Sequence, residues 1–159
     1  MYLARAIHFD ESDMNVFHSP ARTGEWAVSG GFEFSNWSEG DLVGKARQAF
    51  ANGWLGVETF GRVTFVAVTR IEPAEYDSLA QGLARHFVEI YGAPSLEAAL
   101  PVAREELDQT ADLCADHAPN TVLTVARELT DAGVREQYRF IEPSEAGLDQ
   151  LAIHSTPEE

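Results

Sequence analysis

The chain has 159 residues, a formal net charge of −15, 45% hydrophobic residues and a single cysteine. This length suits one domain, which can bury enough apolar surface to fold without disulfides or bound metal. The acidic excess argues against binding to nucleic acid or to an anionic membrane surface, and no apolar run reaches the roughly 18–20 residues that span a bilayer.

We predict one α+β domain over residues 1–150 and a frayed polar tail over residues 151–159. No long apolar stretch follows Met1, so the start is not expected to be a signal peptide. The lone Cys114 cannot form a disulfide within the chain. A cytoplasmic protein is therefore expected.

The first part of the chain shows strand patterns separated by a polar loop. Apolar residues at alternating positions predict strands over residues 2–10 and 26–34, and the second strand should contain a bulge at Gly30-Gly31. The intervening residues 11–24 are polar and include proline and glycine, which predicts a loop.

A helix and an interior strand are predicted next. Ser38 and Asp41 form a signal for a helix N-terminus, and Asn52-Gly53 should end this helix because both residues tolerate a left-handed backbone. Residues 57–71 are rich in Val, Thr and Phe on both alternating faces, which is typical of an interior strand.

The second half predicts two helices followed by a hairpin, over residues 72–92, 95–119, 121–129 and 134–141. Pro73 stands in the first turn of one helix, where its missing amide hydrogen costs nothing, and Pro101 should kink or restart the other. Together the elements predict an α+β, two-layer fold with a mainly antiparallel sheet of about five strands and three helices on one face.

No familiar catalytic or metal-binding motif is complete. A phosphate loop over residues 39–46 fails because Glu39 and Ala46 stand where glycine and Ser or Thr are needed. A calcium loop counted from Asp10 has Asn15 and Ala21 where glycine and glutamate are needed. The single cysteine cannot complete a structural zinc site with one neighbouring histidine. We therefore predict no catalytic residues, no metal and no cofactor.

One stretch of this acidic chain has no negative net charge. Residues 41–71 carry a net charge of +2 and contain a tryptophan between two glycines. An indole facing water beside gathered guanidinium groups would bind an anion or an acidic partner, so the candidate ligand-binding residues are Arg47, Asn52, Trp54 and Arg62. The alternative is that these arginines pair with the protein's own carboxylates while Trp54 fills the core.

The chain resembles a family of uncharacterised bacterial proteins of about this length, domains of unknown function. The resemblance is carried by residues 6–13, 25–30, 47–56, 58–62 and 64–68, within about the first 70 residues. It implies a stand-alone cytoplasmic protein that is accessory to a bacterial metabolic or redox system. It supplies no catalytic residue.

Two functions from different classes follow from these observations. The first is a small accessory or protein-interaction domain without catalytic activity, whose partner is another protein or a second copy of itself. The second is a binder of, or an enzyme acting on, a small anionic metabolite at the four candidate residues.

Overall fold

A computed structural model describes residues 1–8 and 16–142. The acidic residues of the rejected calcium loop and the predicted tail at residues 151–159 lie outside the described part. The described residues form three α-helices, α1 (Gly44–Asn52), α2 (Pro73–Tyr91) and α3 (Leu96–Cys114). They also form seven strands: β1 (Tyr2–Ile7), β2 (Trp26–Val28), β3 (Trp54–Gly56), β4 (Arg62–Val63), β5 (Phe65–Arg70), β6 (Val122–Thr130) and β7 (Gly133–Ile141).

The seven strands form one antiparallel sheet in the order β4-β3-β2-β1-β5-β6-β7. The α+β class is confirmed, but the expected count of about five strands is wrong. The predicted strand over residues 57–71 is instead a loop followed by β4 and β5, and the short β3 before it was missed. The chain turns in this loop at Phe60, whose φ of 59° is left-handed and incompatible with a continuous strand.

The strand predicted over residues 26–34 is also shorter than expected and ends at Val28. Gly30 adopts a φ of 75°, and any side chain there would clash with Leu55 and approach Arg62 Nη1 to 2.8 Å. The following residues Gly31–Phe34 form a 3-10 turn in place of the expected bulged strand. This turn directs Glu33 toward the site described below.

Helix α1 begins later than its signal indicated. The capping box of Ser38 and Asp41 belongs to a separate 3-10 turn, Glu39–Asp41, and the helix starts at Gly44. It ends at Asn52 as predicted, but Gly53 has a φ of −88° and is not left-handed. Glycine is needed there because a Cβ would lie 2.8 Å from the Ala49 carbonyl oxygen.

The bounds of α2 and the start of α3 follow their sequence signals, but α3 ends at Cys114, five residues before the predicted end at residue 119. Helix α2 begins at Pro73 and is closed by Gly92, whose φ is 72°. The Ser95 hydroxyl accepts a hydrogen bond from the Ala98 amide at the start of α3, which runs through Pro101 without interruption. The predicted hairpin is confirmed as β6 and β7.

The sheet is strongly curled, so that strands from its two ends come into contact. Trp54 of β3 and Tyr138 of β7 lie with ring centroids 5.8 Å apart, although four strands separate β3 from β7. The inner face is lined by small residues, Ala4, Ala6 and Ala27. Because the alanine side chains are small, the large Trp54 ring fits inside the curled sheet.

The outer face of the sheet is covered by α2 and α3. Their buried residues pack against Leu3, Trp26, Val28 and Leu55. Helix α1 packs elsewhere, against β4 and β6, so the expectation of three helices on one face is wrong. None of the helices in the described ranges is long and apolar enough to cross a bilayer.

Candidate functional site

Two of the predicted site residues, Trp54 and Arg62, point to opposite faces of the sheet. In the β3–β4 pair Trp54 lies opposite Val63, and Arg62 lies opposite Leu55. Side chains alternate along a strand, so this register separates the indole from the guanidinium. Trp54 is 0% exposed and packs beside Tyr138. The predicted solvent-facing indole is therefore wrong, and Trp54 fills the core, as the alternative interpretation held.

The other two predicted residues lie apart from Arg62. Arg47 is exposed on α1. Asn52 ends that helix, and its side-chain amide donates a 3.0 Å hydrogen bond to the carbonyl of Val125 in β6. Asn52 thus joins α1 to the sheet. A ligand-binding role for these two residues stays a prediction.

Arg62 is a buried cation with a complete set of internal partners. Its guanidinium donates to Gly53 O at 3.0 Å, to Gly30 O at 3.1 Å and to the Glu33 carboxylate. The ring of Phe34 lies 4.5 Å from its Cζ. Burial lowers the pKa of Arg62 to about 10, against the opposing influence of Glu33. The guanidinium stays charged at neutral pH and is paired with the Glu33 carboxylate.

A second buried arginine, Arg127 of β6, lies close to the first and was not predicted. Its Nε donates to Glu136 on β7 at 2.6 Å, and its Nη1 donates to Gly53 O at 2.8 Å and Phe50 O at 3.0 Å. Its Nη2 donates to the carbonyl of Ser29. Arg127 therefore ties the end of α1, the end of β2 and the final hairpin together.

Glu136 is held in its ionised form by this arrangement. Burial alone would raise the pKa of Glu136, but hydrogen bonds from Tyr138, Arg127 and Ser29 bring it below its usual value. The sequence carried a signal for this pair. Arg127 and Glu136 stand at inward positions of an apolar alternation, and the hairpin register places them opposite each other.

Glu33 connects the Arg62 guanidinium to two side chains of α2. The Tyr91 hydroxyl donates to its carboxylate at 2.5 Å, and the His86 Nε2 lies 3.6 Å away. Burial, followed by Glu33, raises the pKa of Tyr91. The His86 ring stacks on Phe60, with centroids 3.8 Å apart and 4° between the planes. Glu33 is therefore a fixed acceptor and has little freedom to bind elsewhere.

The loop that carries Phe60 is fixed by another buried carboxylate. Glu25 is 4% exposed and accepts hydrogen bonds from the amides of Arg22, Glu58 and Thr59 and from the Thr59 hydroxyl, at 2.6–3.0 Å. These bonds hold the loop in the shape that requires the left-handed backbone of Phe60. The Phe60 ring is thus preorganised.

These elements enclose a cleft of about 440 Å³. Arg62 and Glu33 lie at its base, and Lys45 lines it from the first turn of α1. The rings of Trp37 and Phe60 line other parts of it. Lys45 is exposed and makes no hydrogen bond or ion pair with any residue of the described ranges. Among the described residues that line the cleft, basic groups outnumber acidic ones.

Comparison with known proteins assigns the chain to a family. A model of a family of unknown function, DUF6505, matches residues 1–159. The chain belongs to this family. The resemblance to a domain-of-unknown-function family of this length is thus confirmed, and the match covers more than the first 70 residues. No curated protein and no solved structure matches the chain.

This DUF6505 chain has another, smaller cleft of about 280 Å³, lined in part by Gly31 and Phe32 of the first 3-10 turn. Glu136 and Glu106 of α3 both line it. Burial, followed by repulsion from Glu136 and Glu105, raises the pKa of Glu106. Within residues 1–8 and 16–142, no group of three or more His, Cys, Asp or Glu residues could hold a metal ion.

We expect Glu106→Gln to raise the melting temperature at pH 7 and to leave it nearly unchanged at pH 4. A carboxyl group whose pKa is raised by folding stabilises the protein only at low pH and loses that contribution as the pH rises through its folded pKa. Glutamine mimics the protonated form at every pH. Thermal unfolding followed by circular dichroism at both pH values measures the difference, and Glu89→Gln, at an exposed position of α2, is the control. A lower melting temperature at pH 7 would contradict the prediction.

Proposed function

We propose that this protein binds a small organic anion in the 440 Å³ cleft. The observation that carries the proposal is Lys45, a cation without a described partner, at a cleft with aromatic walls. The volume lies in the range of roughly 300–1,000 Å³ that ligand pockets occupy. This is the second of the two functions expected from the sequence, at a site that shares only Arg62 with the four predicted residues.

The charge distribution supports an anion as the ligand. The chain carries a net charge of −15, yet the described lining of this cleft contains Lys45 and Arg62 against the single carboxylate of Glu33. Lys45 also stands in the first turn of α1, which no side chain caps, so the partial positive charge of the helix start adds to its own. Within the described lining of this cleft, the two cations therefore favour an anion as ligand.

The rigidity of the cleft supports a binding role as well. Its base is held by the buried pair of Arg62 and Glu33, and its Phe60 wall is held by the loop that Glu25 organises. A site whose walls are already in place loses little conformational entropy when a ligand binds. The internal polar groups therefore form the support of the site, and Lys45 is the group left to contact the ligand.

The test replaces Lys45 by methionine and measures the binding of anion probes. Inorganic phosphate, acetate, benzoate and 2-naphthoate are titrated by calorimetry, and we expect Lys45→Met to weaken the bound probes about tenfold, the loss of about 1.4 kcal/mol from a charge-assisted contact. The melting temperature should not change, because the Lys45 side chain makes no described polar contact. Arg47→Met is the matched control, since Arg47 is also exposed on the same helix and does not line the cleft.

A second measurement uses the fact that Lys45 is the only lysine. A bound anion should slow acylation of the Lys45 amine while the amine of Met1 reacts at its usual rate, and peptide mass spectrometry separates the two. If no probe binds, or if Lys45→Met binds every probe as the wild type does, the proposal is wrong.

Two further expectations stay proposals beside this one. The first is that the protein is a non-catalytic accessory of a bacterial metabolic or redox system, acting through a protein partner or as a homodimer. The second is that it works in the cytoplasm. The family match and the single buried cysteine, Cys114, are compatible with both. Burial raises the pKa of the Cys114 thiol to about 12, so it stays protonated and unreactive at neutral pH.

A further inference from the structure

We infer that the ligand class of the 440 Å³ cleft is a planar aromatic monocarboxylate. The inference rests on the proposed function and makes it more specific. Three properties of the cleft carry it: partly exposed aromatic rings, a single cation without an internal partner, and an arginine fork that is already occupied.

The aromatic walls select a flat apolar body. Trp37 and Phe60 are partly buried, and Tyr91 is exposed, so each offers ring surface to the cleft. Two of these rings pack against neighbouring rings. The Trp37 ring meets Phe34 edge-on at 4.8 Å, and the Phe60 ring stacks on His86 at 3.8 Å. Partly exposed rings that are held in place favour a planar ligand that stacks on them or meets their edges.

The charge of the cleft selects a monoanion. Lys45 is its one described cation without a carboxylate partner, because the charge of Arg62 is matched by Glu33. The Glu33 carboxylate also lines the cleft and repels the second charge of a dianion. A ligand with a single negative charge near Lys45 is attracted by this cation and has no second charge for Glu33 to repel.

The guanidinium of Arg62 already has hydrogen-bond partners, which argues against phosphate as the ligand. Arginine recognises phosphate through a fork of parallel hydrogen bonds. In this cleft the two terminal nitrogens of Arg62 already donate to Gly53 O, Gly30 O and Glu33. Lys45 remains as a point charge on a flexible stem, which suits a carboxylate that the aromatic walls hold in place.

The experiment compares four probes on one protein by calorimetry: 2-naphthoate, 2-naphthalenemethanol, acetate and inorganic phosphate. We expect 2-naphthoate to bind at least about tenfold more tightly than each of the other three. Naphthalenemethanol keeps the rings and lacks the charge, and acetate keeps the charge and lacks the rings. The comparison therefore measures separately how much the rings and the charge of the ligand contribute to affinity.

Three variants separate the contribution of the charge from that of the ring on the protein side. Lys45→Met should remove the preference for naphthoate over naphthalenemethanol. Trp37→Leu should weaken naphthoate at least about fivefold and leave acetate unchanged, and Trp37→Phe, which keeps a ring, should recover most of the loss. Melting temperatures of all three variants show whether each remains folded at the titration temperature.

The outcomes distinguish this inference from the proposed function. If phosphate or acetate binds as tightly as naphthoate and Lys45→Met weakens it, the ligand class is wrong while anion binding at the cleft stands. If naphthoate binds equally well to the wild type, Lys45→Met and Trp37→Leu, it binds elsewhere and both proposals are wrong. If no probe binds, both are wrong as well.

Discussion

Replacement of Arg127 by methionine should lower the free energy of unfolding by about 3–5 kcal/mol, the usual cost of removing one partner of a buried ion pair. The Arg127 side chain is 0% exposed and donates to Glu136, Gly53 O, Phe50 O and Ser29 O. Without it, a partly buried carboxylate and three carbonyl oxygens lose a donor at once. Urea denaturation at pH 7 measures the effect.

A control on the same hairpin shows whether burial is the cause. Arg135 pairs with Glu128 at 3.1 Å, and both side chains are more than half exposed. Arg135→Met should cost at most about 1 kcal/mol, because surface ion pairs contribute little. The double replacement Arg127→Met with Glu136→Leu should be more stable than Arg127→Met alone, since it removes the uncompensated carboxylate. If Arg127→Met and Arg135→Met cost the same, the buried network does not hold the fold together.

Replacement of Trp54 by alanine should cost about 3–5 kcal/mol, because it leaves a large cavity inside the curl of the sheet. The Trp54 ring is fully buried in the cluster that contains the alanines of β1 and β2, and it lies beside Tyr138. The same urea denaturation measures this loss. A loss well below 1 kcal/mol would contradict the buried position of this indole.

A milder replacement tests the environment of the same ring. The Trp54 Nε1 is buried without a hydrogen-bond partner in the described part of the chain. Trp54→Phe therefore removes an unsatisfied donor together with some packing, and it should cost clearly less than Trp54→Ala. A loss as large as that of the alanine variant would show that the indole nitrogen makes a hydrogen bond that stabilises the fold.

The buried ion pairs show how much of the site the sequence could reveal. The hairpin at Asp131–Gly133 was predicted, and its two-residue turn alone fixes the pairing of Arg127 with Glu136. Two opposite charges at inward positions of apolar strands are a readable signal of a buried pair. Glu33 carried no such signal, because its position depends on the left-handed backbone of Gly30.

Strand β3 and the separation of β4 from β5 were not predicted, and they have a common cause. β3 and β4 contain three and two residues, too few for an alternating pattern to stand out from neighbouring sequence. The loop between them is held by Glu25, a residue about thirty positions earlier in the chain. Local propensity carries no information about such a distant partner.

The sequence itself determined the long helix α2 and both of its ends, at Pro73 and Gly92, because proline and glycine act on the backbone locally. Tertiary structure decided what each inward side chain meets. Arg62 and Trp54 are near neighbours on paired strands, yet the register sends one to a carboxylate beside a cleft and the other into the core. Contacts of this kind depend on the curl of the whole sheet, and no short segment encodes them.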